Sequence, residues 1–365
     1  MTGREKLERG WRSGGVLPTA LWPFSLGFRA AVAGRRLGYR LGAWRSERPG
    51  VAVVSVGNLT VGGTGKTPMA IHLSHCLIAM GRKPAILTRG YGGQLGRGPR
   101  LVGRAGQALA TAEQAGDEAL VLAERGGGLV VGGSDRVAAA ALALSEGADV
   151  IVLDDGFQHW RIQRDLDLVL VDGNSGFGNG RLLPAGPLRE GLSALRRAHA
   201  ILVTKAPASP ALRSRLERRA PGVPLLRARL VARDLVRFEG GIRNTEPLGE
   251  LLGRRVVLLS AIADPTSFYA LAGELDIRTE DVLEFSDHHV FTQADWQRIM
   301  QVSGQADYVL CTEKDLAKLR HLPFARGRLV ALVVGVEMEA DDSAVLARLL
   351  VDRLGAIEPR ATGSR

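Results

Sequence analysis

An α/β fold is what this sequence predicts, and three observations carry the prediction. Short β-branched runs alternate with helix-compatible stretches along most of the 365 residues, the pattern of a parallel sheet flanked by helices. One such unit, 51–80, places a glycine-rich loop between its strand and its helix. Alternation weakens near Pro221 and resumes from Val223 to Phe238 as two arginine-rich strand-like runs, after which a second series of strands and helices follows. The length suits two domains or one large one, and an apolar content of 45% is ample for a buried core.

The loop is the most informative stretch. Val51 to Val56 reads as a strand, Thr60-Val61-Gly62-Gly63-Thr64-Gly65-Lys66-Thr67 as the loop, and Pro68 to Met80 as the helix. Strand, loop and helix in that order are the setting of a phosphate-binding P-loop. Glycines let successive backbone N–H groups wrap phosphate oxygens, and the helix N-terminus adds its positive dipole end. Lys66 is placed to reach the β- and γ-phosphates, and the Thr67 hydroxyl to ligate Mg²⁺. The first glycine slot of the general pattern holds Thr60, so Gly62 and Gly63 are expected to supply the turn.

Downstream, Lys83 to Thr88 is a strand ending in Arg89-Gly90-Tyr91-Gly92-Gly93, and loops at the carboxyl ends of parallel strands are where such folds hold ligands. Gly116-Asp117-Glu118 opens a helix running to Arg125. Leu129 to Val131 is a short strand, and Gly132-Gly133-Ser134-Asp135-Arg136 leads into an alanine-rich helix ending at Glu146. Asp149 to Leu153 is an apolar strand that runs into Asp154-Asp155-Gly156-Phe157-Gln158-His159. An apolar strand closed by an acidic pair is a Walker B arrangement, with Asp154 or Asp155 on Mg²⁺. Asp167 to Val171 is the next strand, and the Pro/Gly-rich turn 183–190 presents Arg189. Ala200 to Val203 ends in Thr204-Lys205-Ala206-Pro207. A guanine reader would need Asp where Pro207 stands, which favours ATP over GTP.

Val223 to Phe238 reads as two strand-like runs and a linker. The second series then runs strand Val256–Ser260, helix Pro265–Leu275, strand Val282–Phe285, helix Gln293–Val302, strand Tyr308–Cys311, helix Lys314–Leu322, strand Leu329–Val334 and helix Ser343–Leu354. Two of its turns look chemical: Ser286-Asp287-His288-His289, and Thr312-Glu313-Lys314-Asp315, whose simplest reading is a helix N-cap with first-turn acids.

Charge is uneven. Residues 1–48 hold ten Arg or Lys against Glu5, Glu8 and Glu47, a net of +7. Residues 196–237 hold eleven against Glu217 and Asp234, a net of +9. Two basic zones suggest a polyanionic partner. The first interleaves its arginines with Trp11, Trp22, Phe24, Phe28, Tyr39 and Trp44, as in a helix lying on anionic lipid. No apolar run reaches the roughly 18 residues of a spanning helix, and no cleaved signal peptide is evident. Cys76 and Cys311 stand far apart, which excludes a Cys-based zinc cluster and fits a reducing cytosol.

Taken together, Ser55–Pro68, Thr88-Arg89-Gly90-Tyr91, Gly116-Asp117-Glu118, Asp154–His159, Gly186–Glu190, Asp287-His288-His289 and Thr312–Asp315 closely resemble, in this order, the motifs of the tetraacyldisaccharide 4'-kinases of lipid A biosynthesis. The likeness runs from about residue 16 to about residue 340, and Thr60 looks normal for that family. The resemblance implies a P-loop NTPase-like three-layer α/β/α domain and a second, smaller α/β domain, joined by a two-stranded linker with the active site between them. The corresponding division is 1–48 for a membrane-associating segment, 49–222 for the kinase domain, 223–240 for the linker, 241–340 for the smaller domain and 341–365 for a C-terminal helix and tail. It implies transfer of the γ-phosphate of ATP, with Mg²⁺, to the 4'-hydroxyl of a tetraacyl glucosamine disaccharide 1-phosphate. It points to Asp117 as the base, supported by His288 from the other domain. Arg136 and Arg189 are candidates for neutralising phosphate charge, and Gln158 and His159 for lining the cleft. The expected setting is the cytosolic face of the bacterial inner membrane, with a monomer and no nucleic-acid partner.

Overall fold

The computed structural model describes residues 10–11, 16–93, 98–287, 289–324 and 327–355. The expected alternation is present. In the first half the chain runs α1 (Trp22–Arg40), β1 (Ala52–Asn58), α2 (Lys66–Ala79), β2 (Pro84–Thr88), β3 (Arg100–Arg104), β4 (Gln107–Ala108), α3 (Asp117–Arg125), β5 (Leu129–Gly132), α4 (Arg136–Ser145), β6 (Val150–Asp154), β7 (Leu166–Asp172), β8 (Ala200–Thr204) and α5 (Pro210–Arg219). The rest comprises β9 (Leu225–Glu239), β10 (Ile242–Glu246), β11 (Arg255–Ser260), α6 (Thr266–Gly273), β12 (Arg278–Glu284), α7 (Gln293–Val302), β13 (Tyr308–Thr312), α8 (Glu313–Leu319), β14 (Leu329–Glu337) and α9 (Ala340–Leu354).

Among the described residues these strands form one sheet in the order β12-β11-β13-β14-β9-β8-β7-β1-β6-β2-β5-β3-β4, with β10 beside β9. β1 lies between β6 and β7, parallel to both, and is buried along its whole length. Apolar residues cover both faces. Met69, Leu73 and Leu77 of α2 pack on one face and Ala139, Ala140 and Ala143 of α4 on the other. The second half repeats the scheme, because β11 alternates Val256 and Leu258 toward α6 with Val257 and Leu259 toward α7 and α8. In α9, Leu346, Leu350 and Leu354 recur every fourth residue and return the chain to the core of the first half.

Where the sequence reads as two strand-like runs, 223–238, the chain forms the single 15-residue strand β9. Its start pairs parallel with β8, its remainder antiparallel with β14, and it turns back into β10. Its arginines do not interrupt it because partners stand on neighbouring elements: Arg227 with Glu339, Arg229 with Glu337, and Arg237 with Glu246 at 2.5 Å. This part of the second basic zone is therefore balanced within the fold. The β3–β4 hairpin and α5 are absent from the sequence reading. α5 nevertheless carries a start signal, Ser209 accepting from Leu212 N at 3.2 Å with Pro210 in the first turn.

α1 rests on the body through Leu21, Ser25, Phe28, Val32, Arg36 and Tyr39, at helical spacing. The Ser25 hydroxyl donates to the Leu182 carbonyl at 3.0 Å and accepts from Ala185 N, and Tyr39 stacks on Trp160. The other side leaves Trp22, Phe24, Leu26 and Leu37 in solvent, with Phe24 68% exposed. Among the described residues no helix is long and apolar enough to cross a membrane.

Candidate active site

The glycine-rich loop leaves β1 at Asn58 and enters α2 at Lys66. Gly62 and Gly65 adopt left-handed backbone, φ +110° and +85°, which a side chain would oppose, and Leu230 of β9 lies 3.0 Å from where a Cβ on Gly65 would sit. The loop is tied down from several sides. Asn58 Nδ2 donates to Thr64 Oγ1 at 3.0 Å, the Thr204 hydroxyl donates to the Thr64 carbonyl at 3.0 Å, and Val61 N donates to the Pro187 carbonyl at 2.9 Å. A cavity of about 70 Å³ opens beside it, lined by Thr60, Gly62, Thr64, Asp172 and Asp264 among others.

β6 is adjacent to β1, so the acidic pair at its end arrives beside the loop. Lys66 Nζ is 3.4 Å from Asn58 Oδ1 and 3.8 Å from Asp155 Oδ1. Asp155 has left-handed backbone, φ +53°, a conformation uncommon outside glycine and often found at functional sites. Its Oδ2 accepts from Arg189 Nη1 at 2.7 Å. Burial pushes the Asp155 carboxyl up, but Lys66 and Arg189 outweigh it and hold the group below its usual value. Asp154 is buried, and its carboxyl rises to about 7, first through burial and then through the nearby charges of Glu118 and Asp155. Arg136, also buried, donates from Nη2 to the Asp154 carbonyl at 3.1 Å, and burial lowers it to about 10.

Asp154 Oδ1 and Ser55 Oγ are buried without a hydrogen-bond partner among the described residues. Orphaned oxygens of this kind suit a hard cation, and Thr67 in the first turn of α2 carries a further oxygen donor. No group of three or more His, Cys, Asp or Glu among the described residues could enclose a metal by itself. The set fits Mg²⁺, which commonly takes one or two carboxylates and completes its shell with water and substrate phosphate.

Asp117 opens α3 and is buried. A methyl group on the preceding Gly116 would overlap the Tyr91 carbonyl, so the 89–93 loop and the start of α3 are in direct contact. Asp117 Oδ1 accepts from Glu118 N at 2.8 Å, and Oδ2 lies 3.7 Å from Lys318 Nζ. His288 lies outside the described residues. Its neighbour His289 is engaged elsewhere, with Nε2 2.9 Å from Asp295 Oδ2 and its ring stacked on Phe285.

The N-cap expected at Thr312 is present, with Asp315 N donating to Thr312 Oγ1 at 3.2 Å. The following residues do more than favour a helix dipole. Glu313 pairs with Arg125 at 2.6 Å, Lys314 with Glu118, Lys318 with Asp117, and Arg320 with Glu124 at 2.8 Å. Four ion pairs thus join α3 of the first half to α8 and its end in the second. The sequence contained the complementary signs but not the facing of the two helices.

Gln158 Nε2 donates to the Asn58 carbonyl at 2.9 Å, bracing the strand end before the loop. His159 is held down at about 4 by burial and by Arg136, Arg164, Arg35 and Arg161. Lys205, where a guanine-reading motif would stand, is committed to Asp172 at 2.9 Å and Asp264 at 2.6 Å.

Comparison with known proteins agrees with this geometry. A family model described as tetraacyldisaccharide-1-P 4'-kinase matches residues 17–355. The tetraacyldisaccharide 4'-kinase of Geobacter metallireducens is 37% identical over 320 residues, covering 86% of this chain and 92% of that protein. That of Syntrophobacter fumaroxidans is 38% identical over 346 residues, covering 93% and 88%. The crystal structure of LpxK from Aquifex aeolicus in complex with ATP superposes with a TM-score of 0.74 at 29% identity, covering 93% of this chain and all of that one. The P-loop, the acidic strand end beside it and a match of this extent lead to one conclusion: the chain belongs to the tetraacyldisaccharide 4'-kinase family.

Proposed function

We propose that this chain transfers the γ-phosphate of ATP to the 4'-hydroxyl of a tetraacyl glucosamine disaccharide 1-phosphate, a step of lipid A biosynthesis. The observation that carries the reading is the convergence of Lys66, Asp154, Asp155 and Arg189 at the ends of two adjacent strands. Phosphoryl transfer demands positioning and charge neutralisation more than covalent help. In this reading residues 60–67 grip the triphosphate and Lys66 lies against its β- and γ-phosphates. Thr67, Asp154 and Asp155 would hold Mg²⁺, which supplies charge neutralisation at the phosphates. Asp117 accepts the sugar hydroxyl proton, assisted by His288. Arg189 and Arg136 offset charge on the transferred group or on the 1-phosphate of the acceptor.

The same reading divides the chain into a P-loop half and a smaller half linked through β9 and β10, whose closure would assemble the site and limit idle ATP hydrolysis. It also places a monomeric enzyme on the cytosolic surface of the inner membrane. Support for that comes from α1, whose outer face sets Trp22, Phe24, Leu26 and Leu37 among Arg29, Arg35 and Arg40. The test is transfer of labelled γ-phosphate to the acyl disaccharide 1-phosphate in mixed micelles. The reading requires label on the acylated acceptor, lost with Lys66→Ala. ATP turnover with no label on that acceptor would overturn it.

A further inference from the structure

Three of the four ion pairs between α3 and α8 are close contacts, and the fourth is different. Lys318 Nζ lies 3.7 Å from Asp117 Oδ2 and 3.4 Å from Asp315 Oδ1, inside ion-pair range but beyond a normal hydrogen bond. Its side chain is largely buried, and Nζ has no hydrogen-bond partner among the described residues. The ammonium also lies 5.7 Å from the centre of the Phe291 ring, in the segment that follows the Asp287-His288-His289 turn. One cation of the second half thus faces the carboxylate that opens α3, the start of its own helix and the wall of the histidine-bearing turn.

Its placement is built. Asp315 is fully buried, and its Oδ2 accepts from Ala261 N at 3.1 Å and from the Thr312 hydroxyl at 2.7 Å. Those bonds fix the first turn of α8 to the end of β11, so Lys318, one turn later, projects from a braced position. Arg320, Lys314 and Arg125 make short pairs suited to holding the halves together. Lys318 supplies positive charge to Asp117 at a longer range. A carboxylate faced in this way keeps its direction, and its Oδ2 can accept a proton from an incoming hydroxyl without first breaking a tight bond to Lys318.

We propose that Lys318 is a positioning residue for phosphoryl transfer: carried on the second half, it orients the Asp117 carboxylate of the first and balances its charge when the two halves are together. The proposal rests on the reading of Asp117 as the base. It predicts a defect in turnover rather than in nucleotide binding, and one that depends on charge rather than on packing.

The test compares Lys318→Met, Lys318→Arg and Arg320→Met with wild type and Asp117→Asn. The readouts are kcat, KM for ATP and thermal melting in the full-length protein. Lys318→Met should lower kcat by about tenfold or more with KM for ATP within about twofold, and Lys318→Arg should recover most of the loss. Arg320→Met, which breaks a pair in the same seam, should lower the melting temperature while kcat stays within about threefold of wild type. Equal loss of kcat in Lys318→Met and Arg320→Met would reduce Lys318 to a fastener between halves and overturn the proposal. If Asp117→Asn abolishes turnover while Lys318→Met keeps it, the positioning role alone falls. If Asp117→Asn turns over normally, the base assignment falls and the proposal with it.

Discussion

The proposed nucleotide cradle and the ion-pair seam between the halves use similar side chains, lysines, arginines and carboxylates, but assemble them in opposite ways. The cradle is nearly continuous in sequence. Residues 58–67 supply the loop, and the acidic pair comes from the strand next to β1. The seam joins residues almost two hundred positions apart, such as Glu118 to Lys314 and Glu124 to Arg320, each separated by 196. A local motif can be read because glycine conformation and helix-terminus geometry are local properties. A seam cannot, because its pairs form only once a sheet has set the distance between two helices.

This contrast explains what was legible. The α/β class, the P-loop, the acidic strand end and most helix boundaries follow from periodicity and capping. The sequence reads as two runs where β9 is one strand, because the acidic partners of the arginines at 227, 229, 233 and 237 lie later in the chain, on β14, on β10 and just before α9. Thr312–Asp315 looked like a cap and is one, yet Glu313 and Lys314 face α3 across the seam. The β3–β4 hairpin is too short to leave a period. The double role of α1, Ser25 holding it to the body and Phe24 facing outward, required knowing which side the body occupies.

Four variants can break or sharpen the comparison. The largest effect is expected in the cradle: Lys66→Ala should lower kcat/KM by about a thousandfold in an ADP-release assay with little change in melting temperature, because charge at the phosphates is lost while the core is untouched. The seam should show the converse. Arg125→Met leaves Glu313 buried with Arg243, at 3.5 Å, as its remaining ion-pair partner among the described residues, and burial already pushes the Glu313 carboxyl up against the pull of Arg125. Urea denaturation should register a loss of about 3 kcal/mol. On α1, Phe24→Ser with Leu37→Ser should weaken binding to anionic vesicles about tenfold or more, while micelle-free ATP binding and melting temperature stay unchanged, since both side chains are exposed.

The smallest effect concerns pH. His159 is held at about 4 in the folded chain, first by burial and then by surrounding arginines. Its unfolded value is near 6.5, so the folded state binds this proton less well. Its contribution is complete above about 6.5 and is lost as pH falls toward about 4. His159→Gln, which does not titrate, should narrow the difference in melting temperature between about pH 7 and about pH 5 relative to wild type. An unchanged difference would mean that His159 is not shielded in solution.

The proposed reaction requires Asp117 to act as base beside a nucleotide held by residues 60–67. Single-turnover transfer from labelled ATP to the acyl disaccharide 1-phosphate, with ATP affinity measured in parallel, tests this most directly in Asp117→Asn. The predicted result is ATP affinity within about threefold of wild type and a transfer rate lower by about a hundredfold or more. Transfer at the wild-type rate would contradict it.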